Sequence, residues 1–123
     1  MANRPSAGAL RERVHCQSWV EGDDGYGRAV MGFETVATVA AGFHANRGGE
    51  AVMASRLAGK QPYVVTIRSS EATRAVTPAW RLVDARAGNN AQGEPKRVFD
   101  IKAITDSDGK NAWLELLCEE TVT

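Results

Sequence analysis

Residues 97–120 read RVFDIKAITDSDGKNAWLELLCEE, and the reading of this stretch decides the fold class. Two apolar runs, 98–104 and 112–118, flank a polar gap that holds Asp106, Asp108, Gly109, Lys110 and Asn111. Strands bounded by Gly, Asn and Asp clusters have this form, and the gap suits a hairpin with a longer loop. In the second run Leu114, Leu116 and Cys118 alternate with Trp113, Glu115 and Leu117, which leaves one face wholly apolar. In the first, Phe99, Ile101 and Ala103 alternate with Asp100, Lys102 and Ile104. Each run offers one face to a core, as an antiparallel pair with one wet side does. The same AWLELLCEE also places Trp113, Leu116 and Leu117 at helical spacing, and Leu and Glu are good helix formers. No N-cap residue precedes a helix of useful length there, and so short a terminal helix is marginal, so the spacing predicts a strand.

Working outward, QPYVVTIR at 61–68 is rich in β-branched residues, with Tyr63, Val65 and Ile67 on one side and Val64, Thr66 and Arg68 on the other. Pro62 marks the expected start of that strand. Residues 10–20 form the expected first strand, with Val14, Cys16 and Val20 on one parity and Arg13, His15, Gln17 and Trp19 on the other. GDDGYG at 22–27 is a strong turn signal that closes it against a long run, 29–43. There Met31, Phe33, Val39 and Phe43 share a parity, and interior Gly32 and Gly42 suggest one long bent strand or two with a bulge.

The segment HANRGGEAVMASRLAGK is the least strand-like part of the chain. Residues 50–58 predict one short helix, with Met53 and Leu57 on one face and Gly59 at the position that ends it. Its thin apolar stripe must dock on the barrel or on a neighbouring subunit, because so short a helix barely holds alone. SSEATRAVTP is a polar connector, 80–84 a short strand, and ARAGNNAQGEPK at 85–96 a second long loop. The expected fold is mainly β: a small antiparallel barrel or sandwich of five or six strands with one short helix and two long loops. Residues 1–9 are expected to form a flexible N-terminal arm on a single domain spanning 1–123.

At 123 residues the chain can bury about two-thirds of its unfolded surface, enough for one modest core. Lys+Arg and Asp+Glu both number 15, which argues against a free-standing nucleic-acid binder. Arginine outnumbers lysine, and its planar fork favours protein-interface ion pairs. No apolar run reaches the roughly 20 residues of a membrane helix, and the N-terminus lacks the apolar core of a secretory signal, so synthesis and use in the cytoplasm are expected. Cys16 and Cys118 fit no metal-ligand spacing. A disulfide between the first and last strands is conceivable, but in a cytoplasmic product two small buried hydrophobes is the better account.

No residue set carries catalysis. His15 and Cys16 are neighbours on a strand and point to opposite faces. His44 has no partner at metal spacing, and Asp106-Ser107-Asp108-Gly109 and Asp23-Asp24-Gly25 lack the later ligands of a calcium loop, so both are turns. Arg47-Gly48-Gly49 has no phosphate-loop context, and Ser69-Ser70 no nearby histidine. No catalytic, metal or cofactor-binding residue is assigned, and no cofactor, membrane or small-molecule partner is expected. Arg13, His15 and Trp19 share a face that nucleic acid could use, but a solvated face with one half-buried Trp explains them as well.

Six pieces in order carry a resemblance: GALRERVHCQ at 8–17, DGYGR at 24–28, ETVATVAA at 34–41, RGGEAVMASRLAGKQPYVVTIR at 47–68, VTPAWRL at 76–82, and the C-terminal stretch at 97–120. Together they resemble the head-closure, or head–tail joining, proteins of tailed bacteriophages. The chain departs in having Ala40 where an aromatic is common and a longer 87–96 loop. The resemblance implies a small β-barrel that forms a homo-oligomeric ring beneath the portal-side adaptor. That ring closes the DNA-filled capsid, touches packaged DNA non-specifically, and offers a platform to the tail terminator or tail tube protein. It further implies a place in the virion neck after assembly in the host cytoplasm, and no catalytic residues. A ring needs two unlike patches meeting head to tail, and long loops in small domains are commonly functional. The expected contact residues are therefore Arg47, Glu50, Arg56 and Lys60 around the helix, and Arg86, Asn89, Asn90 and Lys96 around the second loop. Another neck protein, an adaptor or tail terminator, is the alternative within the resemblance. Outside it stand a nucleic-acid-binding barrel and a minor enzyme subunit, the last requiring a buried polar cluster.

Overall fold

The computed structural model describes residues 10–23, 25–46, 49–106 and 112–121. They form β1 (Glu12–Asp23), β2 (Ala29–Ala45), α1 (Glu50–Leu57), β3 (Lys60–Arg68), β4 (Arg81–Asp84), β5 (Val98–Asp106) and β6 (Trp113–Thr121), with a 3-10 turn at Thr73–Ala75. The strands are paired antiparallel in the order β1-β2-β3-β6-β5-β4, and β4 returns to β1 to close a barrel. Closure satisfies the strand edges that a small open sheet would leave exposed.

The C-terminal stretch is the strand pair its alternation predicts, β5 against β6. β6 also pairs along its whole length with β3, from Arg68↔Trp113 to Lys60↔Thr121. With ladders on both sides it has no use for helical hydrogen bonds, and Leu114, Leu116 and Cys118 all face the core. They meet Val14 and Cys16 of β1, Val65 and Ile67 of β3, Leu82 of β4, and Phe99 and Ile101 of β5. Both cysteines are free and fully buried, and burial pushes their thiol pKa values up, to about 11 for Cys16 and about 12 for Cys118.

Two single-residue insertions redirect side chains. On β2, Ala37 opposes Cys16 but Thr35 opposes Gln17, so Val36 is an extra residue. A bulge of this kind flips the parity of everything beyond it. Val39 and Phe43 pack on the core, whereas Met31 and Phe33 lie on the outer face opposite Glu21 and Trp19. The irregularity expected at Gly32 or Gly42 thus falls at Val36. On β5, Lys102 is the extra residue, so Ile104 rather than Ala103 turns inward.

β3 begins two residues before Pro62, inside the sheet. Pro62 accepts a hydrogen bond from the Asn46 N–H at 3.0 Å but has no N–H to return. The Gln61 side-chain amide supplies the missing donor, reaching the Asn46 carbonyl at 2.8 Å. The predicted turn before β2 is also present: the Asp23 carboxylate accepts the Gly25 and Gly27 N–H groups at 2.8 and 3.2 Å. Both glycines hold positive φ, which a side chain would strain.

Because strand direction alternates, α1, the 85–97 loop and the segment before β1 share one rim. The β1–β2 turn and the 69–80 connector share the opposite rim. β1 pairs with β4 only as far as Gln17, and β2 meets β3 only from Ala41 onward. Beyond those points β1 and β2 have only each other, and residues 18–23 and 25–34 project as a two-stranded arm.

Candidate assembly interface

The two segments expected to meet partners leave the barrel from the same rim. In α1, Glu50 occupies the first turn and Arg56 the last, both exposed, and both signs suit the helix dipole. Gly49 (φ +92°) precedes the helix and Gly59 (φ +79°) follows it, where the sequence placed the terminating glycine. Lys60 opens β3 opposite Thr121 and is half-buried. Arg47 lies outside the described residues.

The second loop is ordered by its own residues. Asn90 Oδ1 accepts from the Gln92 and Glu94 N–H groups at 2.9 and 3.0 Å, and its N–H donates to the Glu94 carbonyl at 2.7 Å. Asn89 bridges to Pro95, and the Lys96 N–H donates to the Gly88 carbonyl. Arg86 Nη1 donates to the Arg11 carbonyl at 2.7 Å, tying the loop to the segment before β1. Asn89, Asn90 and Arg86 thus shape the loop, while Glu50, Arg56 and Lys96 present charge to solvent.

At the same rim sits a polar cluster that sequence reading did not find. Arg97 spans Glu120, with Nε to Oε2 at 2.7 Å and Nη2 to Oε1 at 2.9 Å. Its Nη1 reaches Asp84 Oδ2 at 3.3 Å and its Nη2 the Tyr63 hydroxyl at 3.3 Å. The guanidinium lies over the Phe43 and Phe99 rings, 5.7 and 5.0 Å from their centroids. The hydrogen bond to Glu120 raises the Arg97 pKa above its ordinary value, against desolvation. Every member is paired with another, so the cluster seals the barrel end; it holds no nucleophile and leaves no acid or base aimed at open space. Among the described residues no three metal-ligating side chains converge. Ser70, adjacent to Ser69, accepts the Thr73 N–H with its Oγ at the start of the 3-10 turn, and the Thr73 hydroxyl donates to the Arg68 carbonyl.

The apolar features open to solvent lie elsewhere. On α1, Val52 is the buried residue, whereas Met53 is 53% and Leu57 83% exposed. The helix does dock on its own barrel, but through Val52, and the stripe predicted to dock faces outward. On the arm, Trp19 and Phe33 stack edge to face at 5.1 Å, with Met31 beside them. Trp19 is 49% and Met31 62% exposed. Arg81 covers Phe33 at 4.1 Å and donates from Nε to Gln17 Oε1 at 2.7 Å. His15, on the same face, shares a 2.7 Å hydrogen bond with Thr38. The surface here is an apolar plate with a paired arginine, not a row of free bases between aromatics. Sequence parity groups Met31 and Phe33 with Val39 and Phe43, and the Val36 insertion separates the two pairs, leaving only Val39 and Phe43 on the core side.

The family model described as phage head completion protein matches residues 5–121. Among solved structures, a chain in the virion of a native gene transfer agent particle superposes with a TM-score of 0.61. The two are 21% identical, and the match covers 98% of this chain and 100% of that one. A Shigella flexneri 2a protein solved in solution gives a TM-score of 0.57 at 20% identity, covering 94% and 96% of the two chains. These likenesses show a shared fold. No curated protein matches.

Proposed function

Because the chain belongs to the phage head completion protein family, a family of structural virion proteins and not of enzymes, we propose that it forms a ring in the neck of the particle. The ring closes the DNA-filled head beneath the portal-side adaptor and carries the platform to which the tail terminator or tail tube binds. Assembly takes place in the host cytoplasm. The observation that carries this reading is the uncovered Met53–Leu57 stripe on α1. The barrel core is complete without it, and a short helix that leaves its apolar side to water is explained by a partner that covers it. Glu50, Arg56 and Lys60 flank that stripe as polar rim contacts. Arg86, Asn89, Asn90 and Lys96 shape or line a second contact loop on the same rim, which is turned toward the adaptor or a neighbouring copy.

Imaging of purified particles is the test. Several copies of a six-stranded barrel between portal and tail support the proposal, and density elsewhere in the particle sinks it. Particles lacking this chain should have filled heads that lose DNA and carry no tails.

A further inference from the structure

Among the described residues, two unlike apolar patches stand open on opposite rims of the barrel. One is the outer face of the β1–β2 arm, with Trp19, Met31 and Phe33; the other is the Met53–Leu57 stripe of α1. Their surroundings carry opposite charge. Among the described residues of the arm, Glu21, Asp23 and Glu34 stand against Arg28, a net −2. Among the described residues around α1, Arg56 and Lys60 stand against Glu50, a net +1. Beside α1 a cleft of about 220 Å³, whose lining includes Val52, Pro62 and Leu117 together with the oppositely charged Lys102 and Glu119, extends the apolar surface across the barrel wall.

We propose that the β1–β2 arm of one copy seats on α1 of the next copy, apolar plate on apolar stripe. This rests on the ring reading above and deepens it by naming the two surfaces that meet. The contact is heterologous, since arm meets helix and never arm meets arm, and repetition of such a contact closes a ring when the rotation per copy allows. Charge supplies the direction: two arms repel, as do two α1 segments, while arm and α1 attract. Size sets the strength. The arm extends about 20 Å beyond its last pairing with β4, at roughly 3.3 Å per residue, and α1 is about 12 Å long. Such a contact falls short of the roughly 800 Å² per partner of a stable interface. A single pair is therefore weak, and the closed ring, in which each copy uses both patches, is favoured.

The experiment uses the full chain assembled in particles, with Met31→Cys and Leu57→Cys together and each alone, treated with a short bismaleimide. Both sites are exposed, and the native Cys16 and Cys118 are fully buried. The double variant should give a ladder of linked copies, and each single variant essentially none. A dimer from Met31→Cys alone would mean arm meets arm and overturns the proposal. Particles whose necks hold several copies yet yield no ladder also overturn it while leaving the ring standing. A single copy per particle overturns both. Should the paired substitution impair assembly, Trp19→Asp and Leu57→Asp proteins offer a second measurement, by sedimentation. Neither should self-associate alone, and mixed they should form a one-to-one complex, because each retains the patch the other has lost. Because that complex rests on one contact, it should form only well above the concentrations at which the wild-type chain associates, and its absence at the highest soluble concentration overturns the contact.

Discussion

Replacing Arg97 by Met should be among the most damaging single changes to the fold. Asp84 is 5% and Glu120 7% exposed, and Arg97 is the cation that both carboxylates face, at 3.3 and 2.7 Å. Methionine fills much of the space over Phe43 and Phe99 but leaves two buried carboxylates without a counter-charge. Removing one partner of a buried ion pair costs about 3–5 kcal/mol, most of it the price of desolvating the charge left behind. The Arg97 side chain is itself 33% exposed, so water screens part of the interaction and the lower end, about 3 kcal/mol, is expected. A chain of 123 residues unfolds with an entropy of about 260 cal/mol/K at roughly 2.1 per residue, so each kcal/mol shifts Tm by about 4 °C. Differential scanning calorimetry should therefore show Arg97→Met melting about 12 °C below the wild-type protein. Arg97→Lys keeps the charge but not the two-pronged grip on Glu120 and should fall between them. Adding Glu120→Gln to Arg97→Met should recover part of the loss, since one uncompensated charge is gone. A fall in Tm under about 3 °C, or no recovery in the double variant, would refute the account and mean that water already solvates the carboxylates.

Further expectations concern the thiols, the proline and the helix. Folding raises both thiol pKa values above their ordinary 9.0, so the stability they carry is whole below about pH 9 and is lost as pH rises toward about 11 and 12. The loss is about 1.4 kcal/mol per pH unit per thiol, and denaturant melts across that window should flatten in a Cys16→Ala, Cys118→Ala variant. An unchanged slope would assign the alkaline transition to other groups. Gln61→Ala removes the donor that replaces the absent Pro62 N–H, and should cost about 1 kcal/mol in urea melts with m unchanged. Val52→Ala should lower stability by about 1–2 kcal/mol, whereas Leu57→Ser should leave the melt of the isolated chain within about 0.5 kcal/mol and yet impair head–tail joining in particles. Equal effects of the two on stability would show that the stripe already has an intramolecular cover.

Much of the barrel is legible in the chain because a strand writes its environment with a period of two. Alternation at 112–118 places Leu114, Leu116 and Cys118 in the core, β-branched residues mark β3, and Gly59 ends α1 where the local signal says it should. The choice between barrel and sandwich, the closure of β4 on β1, and the neighbours of each strand are non-local pairings with no local signature. Of the proposed assembly surface, the sequence predicts a helix segment that needs a cover and a second loop longer than a core requires. The arm was missed because one extra residue, Val36, reverses the sense of parity, and nothing in its side chain announces that it opposes no residue of β1. The Arg97 cluster was missed because its members are 34, 13 and 23 residues from Arg97 along the chain. From the sequence alone came the strands of the C-terminal hairpin, the short helix and the family resemblance. Only the tertiary structure decided which face of β2 is dry and which side of α1 is bare, because a bulge and a helix's rotation are set by pairing and packing across the barrel, where the order of residues along one strand holds no information.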